Sequence, residues 1–66
     1  MEQKWVWRSE REPDSQGYYR CVRSGVGRRP SYEDICGYDP ETKIWTNLRG
    51  TVIKSVMMWK EGTVDP

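Results

Sequence analysis

Short stretches of alternating polar and hydrophobic residues occur along the chain, and glycine or proline separates one stretch from the next. Residues 18–24 (YYRCVRS) and residues 31–38 (SYEDICGY) are rich in aromatic and β-branched side chains, which favour strands. Between them, residues 25–30 (GVGRRP) contain two glycines and a proline, which indicates a loop. These segments are therefore expected to form an antiparallel hairpin.

A symmetric loop sets the expected pairing of these two strands. Each facing pair of side chains contributes about 0.2–1 kcal/mol, so opposite charges and matched rings across from one another favour a register. A slip of one residue would place Arg23 opposite Ile35 or Glu33 instead. The expected pairs are Cys21 with Cys36, Arg23 with Asp34, and Tyr19 with Tyr38.

A second hairpin is expected at residues 38–45 (YDPETKIW). The Asp39 side chain can accept a hydrogen bond from the backbone that follows it, and Pro40 fixes the φ angle that the second position of a type I turn requires. Tyr38 and Trp45 then lie on the two flanking strands, joined by a four-residue loop.

Residues 51–59 (TVIKSVMMW) predict a third long strand, with apolar side chains on both of its faces. Such a strand is central in a sheet or lies in a dimer interface. A helix over residues 51–60 is the alternative, since Met, Lys and Trp tolerate helical structure although Val, Ile and Thr disfavour it.

The predicted fold is mainly β: a small antiparallel meander of three to four strands, with α+β as the alternative if residues 51–60 are helical. Residues 1–66 would form a single small domain, in which residues 5–7 add a brief strand and the polar residues 60–66 fray. A sheet this small cannot cover both of its faces, so we expect self-association or a partner on the uncovered face. The core candidates are Trp5, Tyr38, Trp45 and Trp59.

Composition narrows the range of functions. The 66 residues include four Trp, four Tyr and no Phe, so aromatic rings must supply much of the core. A formal net charge of +1 is typical of neither a strongly basic nucleic-acid-binding protein nor an acidic nucleic-acid mimic. The first residues do not resemble a signal peptide, and no stretch approaches the roughly 18 apolar residues of a membrane helix. We therefore expect a soluble, cytoplasmic protein.

Two cysteines and no histidine limit the chemistry of the chain. They cannot complete a tetrahedral zinc site, so neither a metal nor another cofactor is expected. The commonest general base is absent, and so small a domain seldom holds a pocket above about 300 Å³, so we do not expect an enzyme. Cys21 and Cys36 are expected to be buried thiols, with a redox-sensing disulfide as the alternative if they are directly opposed.

Two resemblances add to this picture. Residues 38–45 (YDPETKIW) resemble the hairpin of a Kelch repeat, but one match of this length implies a turn type and no propeller, which needs several blades of about 50 residues. Residues 5–13 (WVWRSEREP) and 56–66 (VMMWKEGTVDP) are similar to the W-x-S-x-x-x-R-L-P opening and V-T-H-W-M-P-L-P close of a short bacterial and phage family of unknown function. This second resemblance implies a phage or prophage origin and no catalytic residue.

Four arginines fall within ten residues around the first loop, and a flexible basic segment of this kind can clamp a phosphate backbone. The alternative is a solvated hairpin tip whose charges are balanced by nearby carboxylates. The four are Arg20, Arg23, Arg28 and Arg29.

The hypothesis that follows is a small non-catalytic interaction module that binds a host protein, in the host cytoplasm if phage encoded, through an exposed aromatic or sheet face. A weak nucleic-acid-binding accessory that uses the arginines of residues 20–29 is the alternative, and a purely structural homodimer is a third possibility. The partner-binding candidates are Trp7, Arg28, Arg29 and Tyr32.

Overall fold

The computed structural model describes residues 4–66, so the first three residues of the predicted domain 1–66 lie outside the described part. Six antiparallel strands form one sheet in the order β1-β6-β2-β3-β4-β5, and residues 4–66 contain no helix. The mainly β prediction is confirmed, and the helical alternative for residues 51–60 is wrong. The strands are β1 (Trp5–Trp7), β2 (Gly17–Arg23), β3 (Tyr32–Asp39), β4 (Ile44–Thr46), β5 (Val52–Ile53) and β6 (Val56–Lys60).

The sheet is strongly curled, because β5 and β6 are joined by only Lys54 and Ser55. Four strand positions separate β5 from β6 in the sheet order. In a flat sheet this separation would be about 19 Å at a spacing of about 4.8 Å. The three Cα–Cα steps from Ile53 to Val56 span at most about 11 Å. The edge strand β5 must therefore bend round towards β6, which gives the sheet a concave inner face and a convex outer face.

The predicted third long strand is divided into β5 and β6 by the short connection at Lys54 and Ser55. β2 to β5 form the expected meander, but β6 leaves it and pairs with β2 and β1. Lys54 and Ser55 change the alternation between Ile53 and Val56, and a bulge at Met57 within β6 changes it again before Trp59, so these three residues are all buried. The prediction of one continuous strand over residues 51–59 was wrong. The strand is interrupted because the sheet closes at this point, and no local residue signals the break.

The core fills the inner face and is rich in aromatic rings. Tyr19 lies between two tryptophans, with ring centroids 6.2 Å from Trp45 and 5.6 Å from Trp59, both in edge-to-face geometry. Three of the four predicted core aromatics are confirmed. Trp5 is the exception, since its neighbour Val6 points inwards and successive side chains of a strand alternate between faces. The core consists of Val6, Tyr19, Cys21, Cys36, Tyr38, Trp45, Ile53, Val56 and Trp59.

The β2–β3 register differs by two residues from the expected one. Tyr19 pairs with Cys36, Cys21 with Asp34, and Arg23 with Tyr32. The observed pairs are symmetric about the glycine- and proline-containing residues 25–30, whereas the expected pairs placed the centre one residue later. A shift of two residues keeps every side chain on its expected face, so the core residues are unaffected.

The second hairpin has the predicted form. Tyr38 pairs directly with Trp45, and their ring centroids are 4.7 Å apart. Asp39 Oδ1 accepts a hydrogen bond of 3.0 Å from the Glu41 N–H, and the Asp39 carbonyl accepts one of 2.7 Å from the Lys43 N–H. Lys43 closes the loop with a φ of 59°, in the left-handed region. The local turn residues therefore fix this hairpin.

The strap, which we define as residues 8–16 between β1 and β2, lies against the inner face and covers the core. Trp59 donates a hydrogen bond from Nε1 to the Arg11 carbonyl at 2.9 Å, and the Tyr19 hydroxyl donates one to the Ser15 carbonyl at 2.7 Å. Pro13 within the strap is buried. Core aromatics thus use their polar ends to hold an irregular segment in place.

The chain end also contacts the sheet. Lys60, the first residue of the predicted frayed tail, belongs to β6. The Glu61 N–H donates to the Lys4 carbonyl at 3.0 Å, and the Val64 N–H donates to the Tyr18 carbonyl at 2.8 Å. Fraying of the residues that follow β6 stays a prediction.

Candidate interaction surface

The outer face of the sheet carries several large exposed hydrophobic side chains. They alternate along their strands with the core residues and so point away from the core. Trp7 has the largest exposed fraction of the aromatic residues among them, 51%. Five such residues on the strands are Trp5, Trp7, Tyr18, Ile44 and Val52.

A tryptophan patch, consisting of Trp5, Trp7, Val22 and Met58, occupies one side of this face. In the sheet register Trp7 pairs with Met58, and Met58 pairs with Val22 on the next strand. Trp5 pairs with Lys60, whose ammonium nitrogen lies 5.6 Å from the centroid of the Trp5 ring. Two indole rings and a flexible thioether therefore form a continuous apolar row, with a cation at its margin.

The patch lies on β1, which is an edge strand of the sheet among the described residues. One side of β1 pairs with β6, and on the other side the Trp7 carbonyl accepts hydrogen bonds from the Glu10 and Arg11 N–H groups. The remaining backbone groups on that side of β1 face outwards beside the patch, as on any edge strand.

A second feature of the outer face is a groove of about 420 Å³ over Gly37. A Cβ atom at this position would lie 3.1 Å from Thr46 Oγ1 and 3.3 Å from Tyr18 Cε1. The absence of a side chain at Gly37 therefore leaves room between β2 and β4. The lining includes Tyr18, Gly37, Ile44, Thr46 and Val52.

The four arginines expected to form a basic site do not lie on one surface. Arg23 points to the inner face, where it forms an ion pair of 3.0 Å with Asp34 and donates a hydrogen bond of 3.0 Å to Ser55 Oγ. Arg20 alternates with core residues and lies on the outer face. Arg28 and Arg29 are exposed in the β2–β3 loop. The fold thus separates the cluster that appears continuous in the sequence.

The partner-binding candidates lie at the same end of the sheet but on different faces. The row that begins at Trp7 and Met58 continues through Val22 to Glu33 on the outer face. Tyr32, one residue before Glu33, has the inward alternation, is 46% exposed, and lies under the Arg23 guanidinium at 5.4 Å. Trp7 therefore lies among other apolar side chains of the outer face, whereas Tyr32 lies beside Arg23 at the start of the β2–β3 loop.

Glu12 of the strap and Tyr38 of β3 form a hydrogen-bonded pair of titratable groups. The Tyr38 hydroxyl donates a hydrogen bond of 2.6 Å to Glu12 Oε2, and Arg8 forms an ion pair of 3.0 Å with Glu12 Oε1. Burial and this hydrogen bond raise the pKa of Tyr38 to about 12. Burial opposes ionisation of Glu12, but the hydrogen bonds from Tyr38 and Arg8 outweigh it and lower the pKa of this carboxyl. The pair fastens the strap to the second hairpin, a role for which the sequence carries no local signal.

No protein-family model matches the chain, and no solved structure matches it. Over 56 residues it is 41% identical to an F-box/kelch-repeat protein of Arabidopsis thaliana. The match covers 82% of this chain but only 15% of the Arabidopsis protein. This partial similarity agrees with the Kelch-like character of the Tyr38–Trp45 hairpin, while the resemblance to the bacterial and phage family stays a prediction. Among residues 4–66 no helix has the length and apolar character needed to cross a membrane.

Proposed function

We propose that the protein is a small, non-catalytic interaction module that binds a partner protein through the tryptophan patch. The observation that carries this proposal is the exposure of Trp7 beside Trp5 on an edge strand, on the face opposite the core. Tryptophan is among the residues that most often dominate protein–protein binding energy. The polar residues around the patch, including Lys60, Arg20 and Glu33, supply the rim that such an interface needs.

The exposed indole area is large enough to contribute to binding. With 37% of Trp5 and 51% of Trp7 exposed, the two side chains leave roughly 200 Å² in water, given about 250 Å² for a whole Trp. At about 25 cal/mol per Å², covering this area contributes on the order of 5 kcal/mol before the costs of association. That gain offsets only part of those costs, so the partner must also use neighbouring contacts such as the β1 backbone.

The similarity to an F-box/kelch-repeat protein supports a protein-binding role, because repeat architectures built of β-sheets present extended binding surfaces. The chain spans about 15% of that protein, so the activity of the whole relative is not transferred to it. A host protein as the target, and a phage or prophage origin, rest on the opening and closing motifs alone.

The test is affinity capture from lysate with the immobilised full-length chain, comparing the parent, Trp7→Ala and Val26→Ala. Val26 is a matched control because it is apolar and 85% exposed but lies in the β2–β3 loop. We expect at least one protein to be retained in high salt by the parent and by Val26→Ala and to be lost with Trp7→Ala. Equal capture by Trp7→Ala would contradict the proposal.

Separate measurements on the same full-length chain test the alternative functions. Nucleic-acid binding through the loop would weaken steeply with salt and would be lost when Arg28 and Arg29 are both changed to Ala. A homodimer through the patch would raise the molar mass measured by light scattering above the 7.8 kDa of one chain, and Trp7→Ala would restore that value. Either result, without a patch-dependent protein partner, would replace the proposed function.

A further inference from the structure

The two cysteines lie in contact at the centre of the core. Cys21 Sγ and Cys36 Sγ are 2.7 Å apart, and both residues are completely buried. They belong to the neighbouring strands β2 and β3, and both point to the inner face. Fifteen positions along the chain separate them, so the β2–β3 hairpin alone is responsible for this contact.

The shifted register does not keep the cysteines apart. Cys21 pairs with Asp34, and Cys36 pairs with Tyr19, so the two cysteines are diagonal neighbours and not directly opposed residues. Diagonal side chains on one face remain within reach of each other, and the right-handed twist of paired strands alters the two diagonals unequally. The sulfur contact shows that the Cys21–Cys36 diagonal is the close one.

The contact between the two sulfurs couples the ionisation of the two thiols. Either sulfur can donate the hydrogen bond between them, and burial opposes loss of a proton from both. Once one thiol has lost its proton, a hydrogen bond from the other stabilises the thiolate, which is the reactive form.

We propose that Cys21 and Cys36 form an oxidisable dithiol that closes to an intramolecular disulfide, with a low-molecular-weight disulfide such as oxidised glutathione as the oxidant. The thiolate of one cysteine attacks one sulfur of the oxidant, the bond between the two oxidant sulfurs breaks, and one small thiolate leaves. The second cysteine then loses its proton and attacks the sulfur of the first, which forms the protein disulfide and releases a second small thiolate. Two electrons pass to the oxidant, and its two thiolates take up the two protons of the cysteines.

Burial controls when this reaction takes place. Neither sulfur is exposed in the closed fold, so the oxidant reaches the two cysteines only during folding or a transient opening of the strap or the hairpin. Once formed, the disulfide would join β2 to β3 within the core, and its burial would protect it from reductants. This redox site goes beyond the proposed binding function, because the tryptophan patch lies on the opposite face.

The test compares thiol oxidation of the full-length chain in the folded state and in denaturant, across a series of glutathione redox buffers. Acid quenching, alkylation and mass spectrometry count the free thiols, and a tryptic digest identifies residues 21–23 linked to the peptide that contains Cys36. We expect the folded state to favour the intramolecular disulfide on the order of a hundredfold over the denatured state, as for a loop of about 15 residues closed without distortion. Cys21→Ser should yield only a mixed disulfide or a free thiol at Cys36.

Three results would overturn this inference. The chain refolded from denaturant within each redox buffer, so that the oxidant has access, keeps both thiols free where the denatured chain is oxidised. The oxidised protein holds glutathione at both cysteines. The disulfide joins two chains. Each of these results would mean that the folded core does not accommodate a disulfide between Cys21 and Cys36.

Discussion

Changing Tyr38 to Phe removes a single hydroxyl that ties the strap to the second hairpin. In the parent this hydroxyl donates a hydrogen bond of 2.6 Å to Glu12. A hydrogen bond to a charged acceptor contributes about 1.5–3 kcal/mol, and the partial exposure of Glu12 (25% of its side chain) favours the lower end. We expect a loss of about 1.5 kcal/mol in the free energy of unfolding. For a domain of this size that corresponds to a melting temperature lower by roughly 6–12 °C.

The pH dependence distinguishes this hydrogen bond from a general packing effect. The pKa of Glu12 is lower in the fold than its ordinary value, so its contribution to stability is present above that value and is lost as the pH falls through the folded pKa. The pKa of Tyr38 is raised to about 12, so its contribution is present below pH about 10 and is lost as the pH rises towards 12. In Tyr38→Phe the free energy of unfolding should therefore depend less steeply on pH in both the acid and the alkaline range.

The assay is urea unfolding followed by tryptophan fluorescence at several pH values from acid to alkaline. Tyr18→Phe is the matched control, because Tyr18 lies on the outer face and loss of its hydroxyl should leave the urea midpoint at neutral pH unchanged. A double-mutant cycle with Glu12→Gln should recover a coupling energy of about 1 kcal/mol. If Tyr38→Phe matches the parent at neutral pH, or if its acid limb keeps the parent's slope, the hydrogen bond does not hold the strap.

Three further substitutions test the fold. Trp59→Phe should lower the free energy of unfolding by about 2–3 kcal/mol, since Trp59 is 3% exposed and donates to the Arg11 carbonyl, whereas Trp5→Phe should cost below about 0.5 kcal/mol. Urea denaturation measures both, and equal losses would contradict the assignment of the two tryptophans to opposite faces. Asp39→Ala should cost about 1 kcal/mol through the lost hydrogen bond to Glu41, and a thermal melt unchanged from the parent would show that Pro40 alone sets the turn.

The sequence predicts the hairpins well because their signals are local. Asp39 and Pro40 specify the second turn from adjacent residues, and the Tyr38–Trp45 pairing follows from a loop of fixed length. The first hairpin has a longer loop, which constrains its centre weakly, and the register was displaced by two residues for that reason. Side-chain alternation survives such an error, so the buried positions were predicted more reliably than their partners.

The strap and the crossing from β5 to β6 depend on contacts between distant parts of the chain. Arg11 and Trp59 are 48 positions apart, and Glu12 and Tyr38 are 26 positions apart. Residues 8–16 show no periodicity that predicts their place over the core, since the hydrogen bonds from Trp59, Tyr19 and Tyr38 that hold the segment are accepted by its backbone carbonyl groups and by one carboxylate. The candidate surface could not be predicted from the sequence for the same reason. Arginines that are close in the sequence lie apart in the fold, whereas Trp7 and Val22, which are distant in the sequence, lie in one row across the sheet.

The allocation of tryptophans between the two faces gives the strongest reason to place function on the outer one. In the segment Trp5-Val6-Trp7, alternation forces a choice between burying one valine and burying two indoles. The inner face already holds Trp45 and Trp59, and its concave shape limits the volume that a strongly curled sheet can enclose. Folding is therefore satisfied with Val6 inwards, which leaves Trp5 and Trp7 without a part in the core. Neither ring belongs to the core, and 37% of Trp5 and 51% of Trp7 stay exposed, which is the apolar surface that the proposed partner would cover.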